Sequence, residues 1–594
     1  MKTAHIAPLL KPVKATVTIP GSKSFTNRAL ILSALSTNTV VIKNPLFSDD
    51  TAALISCLEK LGVKIKKEKN QITVMGNVFA NKQKEIILDA NLSGTTMRFL
   101  LAVCCIIPGI KILTGKQRLL ERPIKDLTDA LKNLGAEISF EKNQGFPPVK
   151  IISSKLTKNE VTISGKTSSQ FVSALLMIAP IIGLTIKIDR DLISQPYVAM
   201  TIQTLEKFGI KVENKNFHEF IIKKQQIAAQ EFAIEGDFSS GAYFAAIATL
   251  TKSEITLKNL QENSLQADKE FLSILEQMGS KIIFKKNEVT IIGNGVKPLL
   301  VNMQHCPDQI QTVAVLAAFA HGTTTITGGS SLKVKETDRL QAIHNELLKM
   351  NIENSITADS ITIHGGNIKP ATIDTYNDHR MAMAFSVAAT KLAGIVINNP
   401  DVVSKTFPDF LKKLAKIGAN VEITNKDASK IVLIGFMGAG KTSIAPLLAK
   451  RLKINVFEMD EKVIQLSKQK SIKDIFQKHG EKRFRELEAE AAKKILNKNS
   501  IIISAGGGVV ENRETMKHLT RKAYVVFLET SFETISNRLV NTQDRPLWKD
   551  KEKTKQLFKK RQSLYKQFAD VSVQTDGKSL GQITSEIEEK VKYL

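Results

Sequence analysis

Residues 435–442 read GFMGAGKT and follow the apolar run IVLI at 431–434. Gly435, Gly438 and Gly440 make a loop whose backbone N–H groups can converge on phosphate oxygens, and the helix behind it adds the positive end of its dipole. Lys441 is then placed for the β- and γ-phosphates and Thr442 for Mg2+. The spacing predicts an ATP or GTP site over Gly438, Ala439, Gly440, Lys441, Thr442 and Ser443. The first two thirds of the chain carry a second kind of chemistry. Cations and hydroxyls cluster in GSKSFTNRA (21–29), SGTTMRF (93–99), ERPI (121–124), KTSSQF (166–171), KVKETDRL (333–340), YNDHRMAM (376–383) and SKTFPDF (404–410). Lys23, Arg28, Arg98, Arg122, Lys335, Arg339, Arg380 and Lys405 exceed what one phosphate needs, while Ser24, Thr95, Ser168, Ser169 and Gln170 add neutral donors. Together they predict two anionic ligands.

The elements that must hold these clusters repeat. CLEKLGVKIK near Gly62, ALKNLGAEISF near Gly135, TLEKFGIKVE near Gly209, ILEQMGSKIIF near Gly279, ELLKMNIENSIT at Asn351 and KLAKIGANVEIT near Gly418 share one pattern. Each reads as a helix, a left-handed C-cap and a strand, with Asn351 the usual substitute for glycine in that conformation. A period of about 70 residues marks internal duplication of a small α/β unit rather than a thin solenoid. The pattern stops at VEITNKDASK, and a strand, glycine loop and amphipathic helix begin at IVLIGF, so a domain boundary is expected near 425–430.

With 594 residues, several domains are expected. Hydrophobic content of 43% and charged content of 24% suit a globular protein. The net charge of +26 raises nucleic acid as a partner, but the lysines are scattered and aromatic content is only 6%, which leaves no evident stacking platform. A solvated lysine-rich surface and small anionic substrates explain the charge, and no nucleic acid is expected. Cys57, Cys104, Cys105 and Cys306 form no metal-ligand spacing and read as reduced thiols. MKTAHIAPLLKP lacks the apolar core of a signal peptide. The run FVSALLMIAPIIGLTIKI is broken by Pro180 and Gly183 and reads as a buried helix, turn and strand rather than a membrane span. A cytoplasmic protein without membrane contact is expected.

From residue 430 to 594 the chain resembles shikimate kinase. The resemblance rests on the phosphate loop, FEMDEKV, GEKRFRELE, AGGGVV (505–510), DRPLW and KKRQSLY, in that order. It implies ATP and Mg2+ as nucleotide and cofactor and a parallel-sheet kinase domain. By the same resemblance Asp460 binds and orients the shikimate hydroxyls, and Arg485 and Arg561 pair with its carboxylate. Gly506, Gly507 and Gly508 let the acceptor lie against the backbone, and Arg545 closes over the phosphates. Arg538 flanks adenine, and Glu458 stands where an Asp on the Mg2+ side is common.

From about residue 7 to 424 the chain resembles 5-enolpyruvylshikimate-3-phosphate (EPSP) synthase. That family's fold, two globes of three βαβαββ units each, accounts for the six repeats. It implies a synthase module over 1–427, with globe one at about 20–237 and globe two at about 1–19 plus 238–427. The carry-over assigns Lys23, Ser24, Arg28, Ser168, Ser169, Gln170, Ser194, Tyr197, Asp308, Ser331 and Lys335 to shikimate-3-phosphate. It assigns Lys23, Gly94, Thr95, Arg122, Gln170, Arg339, Arg380 and Lys405 to phosphoenolpyruvate. Proton transfer falls to Lys23, Asp308 and Glu336 with His379 close by, and no cofactor is implied for this half. Leu92, Phe99 and Ser331 depart from residues common in the family. The alternatives are a UDP-N-acetylglucosamine enolpyruvyl transferase, which works through a loop cysteine, joined to another small-molecule kinase, and a nucleic-acid-binding ATPase. The intact S-S-Q and K-E-T-D-R clusters favour the synthase.

Overall fold

A computed structural model describes residues 2–80, 85–152, 156–427, 429–539 and 551–592. The chain divides into two compact units, one of residues 6–421 and one of residues 422–594 with the first five residues. In the larger unit every expected C-cap is left-handed. Gly62, Gly135, Gly209, Gly279 and Gly418 have φ of 92°, 107°, 84°, 110° and 107°, and Asn351 has 62°. Each closes with the same pair of hydrogen bonds. Gly135 N donates to Lys132 O and Ala136 N to Leu131 O, and the others repeat that ladder, Gly279 to Glu276 O with Ser280 to Leu275 O among them. Such a cap satisfies the last helix carbonyls and aims the chain back into a strand. That is why one short phrase can specify the whole unit.

Residues 40–233 form three four-stranded sheets. In the first, Glu231–Ala233 runs parallel to Val40–Lys43, which pairs with the antiparallel ribbon Gln71–Met75 and Lys64–Glu68. The second strand, Lys14–Thr18, joins none of these; it pairs in parallel with Glu254–Lys258 in a sheet of the other globe. The chain therefore crosses between globes twice, and the two crossings touch at the bridge Gly21–Gly236. The run at 171–188 is helix Ser169–Ile182, Gly183 at φ 75° and strand Leu184–Asp189. Pro180 does not break that helix: it sits in the last turn, where its missing N–H forfeits one bond shortly before the chain stops anyway. No described helix is long and apolar enough to cross a membrane.

The smaller unit holds a five-stranded parallel sheet in the order Asn455–Glu458, Ile501–Ser504, Lys430–Ile434, Tyr524–Glu529, Val571–Gln574. Alternate residues of its central strand feed two cores. Val432 and Ile434 pack with Met459, Leu487 and Phe527, whereas Ile431 and Leu433 pack with Leu448, Val526 and Ile587. Burial on both faces is what an all-parallel sheet requires. Residues just before this sheet are bound into it. Asp427 N donates to Lys522 O, and Lys426, 7% exposed, pairs with Asp570, whose other oxygen accepts from Val525 N at 2.9 Å. Lys426→Met would strand a mostly buried carboxylate. The expected result is a loss of about 3–5 kcal/mol from this unit, read by urea unfolding of the full chain through amide exchange in Val525–Leu528. A loss below about 1 kcal/mol would mean the pair behaves as a solvated surface bridge.

Candidate active sites

In the larger unit the repeats bring helix N-termini to one place. Helices Lys23–Leu35, Gly94–Cys104, Ser169–Ile182, Gln195–Lys207, Phe238–Thr251 and His379–Ala389 present first-turn or capping residues to one cleft. Each contributes positive dipole potential and unsatisfied N–H groups, so the backbone alone favours anions there. Lys23, Ser24, Arg28, Thr95, Arg98, Arg122, Ser168, Ser169, Gln170, Ser194, Tyr197, Asp308, Ser331, Lys335 and Arg380 line this cleft.

The lining residues differ in what they are free to do. Arg98 Nη1 donates to Gln170 Oε1 at 2.7 Å, and the buried Nε atoms of Arg98 and Arg122 have no partner among the described residues. Lys23 pairs with Asp50 at 3.1 Å. Arg28 is 1% exposed and largely committed inside globe one, donating to Thr201 Oγ1 at 2.7 Å, Tyr197 O at 3.0 Å and Ser24 O at 2.9 Å. Phe99 lies 5.4 Å beneath its guanidinium. Arg28 therefore joins three helices as well as facing the cleft.

Against the lining sits a buried charge cluster holding Glu336, Arg339, Lys405 and Asp378. Arg339 bridges three carboxylates: Asp378 Oδ2 at 2.6 Å, Glu336 Oε2 at 2.8 Å and Asp308 Oδ1 at 2.9 Å. Asp308 also accepts from Lys335 at 3.2 Å and Arg380 Nη2 at 3.0 Å. Lys405 Nζ reaches Glu336 Oε1 at 2.8 Å and Leu92 O at 3.3 Å. Burial would raise Glu336, but Lys405, Arg339 and Arg122 outweigh it and hold the carboxyl well below the usual range. Burial would likewise raise Asp308, but Arg380, Lys335 and Arg339 outweigh it and hold that carboxyl well below the usual range. Burial lowers Lys335 and, far more, His379, whose Nδ1 is 3.6 Å from Asp378 Oδ1. Two ionised carboxylates are thus paired directly with ammonium and guanidinium groups, beside a cleft rich in hydrogen-bond donors.

Gly94 stands where space is decisive. A Cβ there would lie 2.8 Å from Arg122 Nη1 and 3.1 Å from Arg98 Nη1. The cysteines are elsewhere: all four are free and buried, and burial raises Cys57 and Cys105 to about 12. None has the low-pKa, accessible setting of a reactive thiol.

In the smaller unit the phosphate loop follows the central strand, and the triple glycine follows its neighbour Ile501–Ser504. Both sit at carboxyl strand ends, where open parallel sheets bind ligands. Gly438 and Gly440 have φ of 80° and 101°, and helix Lys441–Leu452 starts directly after them. Lys441 Nζ lies inside the loop on Gly435 O (2.6 Å) and Phe436 O (3.0 Å). Arg538 Nη1 reaches Gly438 O at 3.3 Å. Asp460 Oδ1 lies 2.8 Å from where a Gly506 Cβ would be, so a side chain there would push the carboxylate aside. At Gly508 the same point is 3.3 Å from Arg561 Nη2 and 3.6 Å from Arg485 Nη1 and Nη2. Two guanidiniums thus converge on one spot, anchored to Gly507 O and Gly508 O. Burial raises Asp460, with Lys441 opposing, and raises Glu458, with Ser504 opposing. Arg545 lies outside the described residues.

Several partners escaped the sequence reading. Asp50 on Lys23, Asp378 on Arg339, and Arg118, which reaches the 335–336 backbone, are distant in sequence from what they hold. Glu511 on Arg561 is equally remote. Glu488, three residues beyond Arg485 and 3.2 Å from it, and Glu481, four before it at 3.3 Å, follow helical spacings that could have been read.

Comparison with known proteins decides the family. The model of EPSP synthase (3-phosphoshikimate 1-carboxyvinyltransferase) matches residues 9–414. The chain belongs to the EPSP synthase family. The model of shikimate kinase matches residues 437–592, and the two domains together make this a bifunctional shikimate-pathway enzyme, a transferase and an ATP-dependent kinase. The 3-phosphoshikimate 1-carboxyvinyltransferase of Colwellia psychrerythraea is 41% identical over 68% of this chain and 97% of its own length. That of Photobacterium profundum is 40% identical over 68% and 96%. The EPSP synthase structure from Acinetobacter baumannii superimposes with a TM-score of 0.60 at 25% identity, covering 72% of this chain and all of that one. The enolpyruvyl transferase NikO from Streptomyces tendae, at 17% identity and TM-score 0.58, shares the fold.

Proposed function

We propose that the kinase half phosphorylates the shikimate 3-hydroxyl and that the synthase half then transfers the enolpyruvyl group of phosphoenolpyruvate to the 5-hydroxyl, releasing phosphate. The observation that carries this reading is the cleft where helix N-termini from both globes meet the Asp308–Arg339–Glu336–Lys405 cluster. Shikimate-3-phosphate is assigned to the globe-one donors Lys23, Ser168, Ser169 and Gln170, with Tyr197, Asp308 and Lys335 beside it. Phosphoenolpyruvate is assigned to Arg122, Arg380 and Lys405. Asp308 and Glu336, held ionised by their cations, suit removal of the 5-hydroxyl proton, and the ammonium of Lys23 carries a proton for the methylene carbon. Preorganised cations then stabilise the tetrahedral ketal without reorganising at the moment of reaction.

In the kinase half, Asp460 orients the attacking hydroxyl, Arg485 and Arg561 hold the shikimate carboxylate, and Lys441 at the helix N-terminus faces the transferred charge. The loop fits a nucleotide: its left-handed glycines and the dipole of helix Lys441–Leu452 suit phosphate, and Thr442 and Glu458 would hold Mg2+, which neutralises charge between phosphates. A cytoplasmic setting is supported by four free cysteines.

One assay tests the whole sequence of steps. Shikimate, ATP and phosphoenolpyruvate together should yield 5-enolpyruvylshikimate-3-phosphate. Omitting ATP should stop product unless shikimate-3-phosphate is added. Acceptance of UDP-N-acetylglucosamine in place of shikimate-3-phosphate would overturn the synthase reading.

A further inference from the structure

Residues 335–337 carry two groups of the synthase cleft yet lie in no helix or strand. Lys335 caps the short turn Ser330–Val334, and its own N–H makes only a long 3.5 Å bond to Leu332 O. Its carbonyl and that of Glu336 accept from a single side chain among the described residues. Arg118, on helix Gln117–Leu120 of the opposite globe, donates Nε to Glu336 O at 3.1 Å and Nη2 to Lys335 O at 3.1 Å. Its remaining edge is fixed by Glu121 Oε2 at 2.9 Å. A guanidinium offers two donors along one rigid edge, which suits two successive carbonyls in a way an ammonium cannot copy.

We propose that Arg118 is a positioning residue for the synthase reaction: it clamps the Lys335–Glu336 backbone across the cleft and so sets where the Glu336 carboxylate stands. This rests on the reading of Glu336 as a group at the reacting atoms. Arg118 does not line the cleft, and its side chain is 37% exposed, so it acts through the backbone it holds and not through substrate. The groups that face Glu336 are Lys405, Arg339, Arg122 and His379. Without the clamp the loop can draw Glu336 away from Lys405 and Arg339, and its carboxyl returns upward toward the ordinary range.

The test uses the full chain carrying Arg118→Ala, Arg118→Lys or Glu336→Gln. Arg118→Ala should lower synthase kcat roughly 10–100-fold, as a displacement of about 1 Å does elsewhere, with a smaller change in KM for either substrate. The acid limb of its kcat profile should move to higher pH. Arg118→Lys should recover part of the rate, and shikimate phosphorylation, the internal control on folding, should be unchanged. An Arg118→Ala rate within twofold of the parent, or a lowered rate with the acid limb unmoved, overturns the clamp. Loss of kinase activity alongside overturns it too, as a general folding defect. If Glu336→Gln keeps full activity and the same acid limb, the reading of Glu336 fails first and the proposal with it.

Discussion

Lys441→Met is expected to remove shikimate phosphorylation while enolpyruvyl transfer, assayed on supplied shikimate-3-phosphate, stays within twofold of the parent. Lys441 begins helix Lys441–Leu452 and is 9% exposed, so its ammonium works in a confined, low-dielectric loop. Loss of one such charge-stabilising group costs roughly 10^2–10^3-fold in rate. The methionine keeps the stem that packs in the loop, so the fold should survive. Glu336→Gln or Lys23→Met should do the reverse, because both residues belong to the compact unit of residues 6–421, apart from the unit that holds Lys441. Glu336→Gln keeps one hydrogen-bond acceptor but discards the charge that Lys405 and Arg339 hold. Either substitution stopping both reactions, with cooperative unfolding intact, would show that the two sites are not independent.

Gly94→Ala is expected to raise KM for phosphoenolpyruvate by roughly 10–100-fold, the equivalent of one charge-assisted hydrogen bond of about 1.5–3 kcal/mol. The added Cβ meets the ends of two flexible side chains, Arg122 and Arg98, not backbone, so the helix stays and the guanidiniums move. Arg98 Nη1 would also strain its bond to Gln170. The parent should be inhibited by glyphosate competitively with phosphoenolpyruvate, and Gly94→Ala should weaken that inhibition. The two departures nearest this pocket act on it indirectly: Leu92 supplies only its carbonyl, to Lys405, and Phe99 lies under Arg28. A KM for phosphoenolpyruvate unchanged by Gly94→Ala, with full activity of the parent in millimolar glyphosate, would remove Gly94 and Arg122 from that subsite.

Much of this architecture was legible before any coordinates. The repeated phrases around Gly62, Gly135, Gly209, Gly279, Asn351 and Gly418 specify their turns locally, because a left-handed cap depends on one residue and its two neighbouring hydrogen bonds. The phosphate loop is local in the same sense: Gly440 and Lys441 are adjacent in the chain and adjacent in the site. Residue type alone also predicted two anionic ligands for the larger unit, since eight cations spread over six clusters have few other uses.

What spacing could not convey is which cation answers to which carboxylate. Arg339 spans Asp308, Glu336 and Asp378, and Asp308 and Asp378 lie 31 and 39 residues away. Lys405 meets Glu336 across 69 residues, and Arg118 meets the 335–336 backbone across more than 200. The carboxylate pairings depend on how helices and turns far apart in the chain pack within one globe, and the Arg118 contact on the two globes meeting, a geometry in which no local pattern takes part. The same packing gives Glu336 and His379 their lowered pKa values, through cations brought to Glu336 by other elements and through the burial of His379. Sequence determined the repeat, the nucleotide loop and the inventory of charged groups, because each is a property of neighbours along the chain. Only the tertiary structure decided which charges are paired, which are left facing the cleft and how Glu336 is held, because those are properties of neighbours in space.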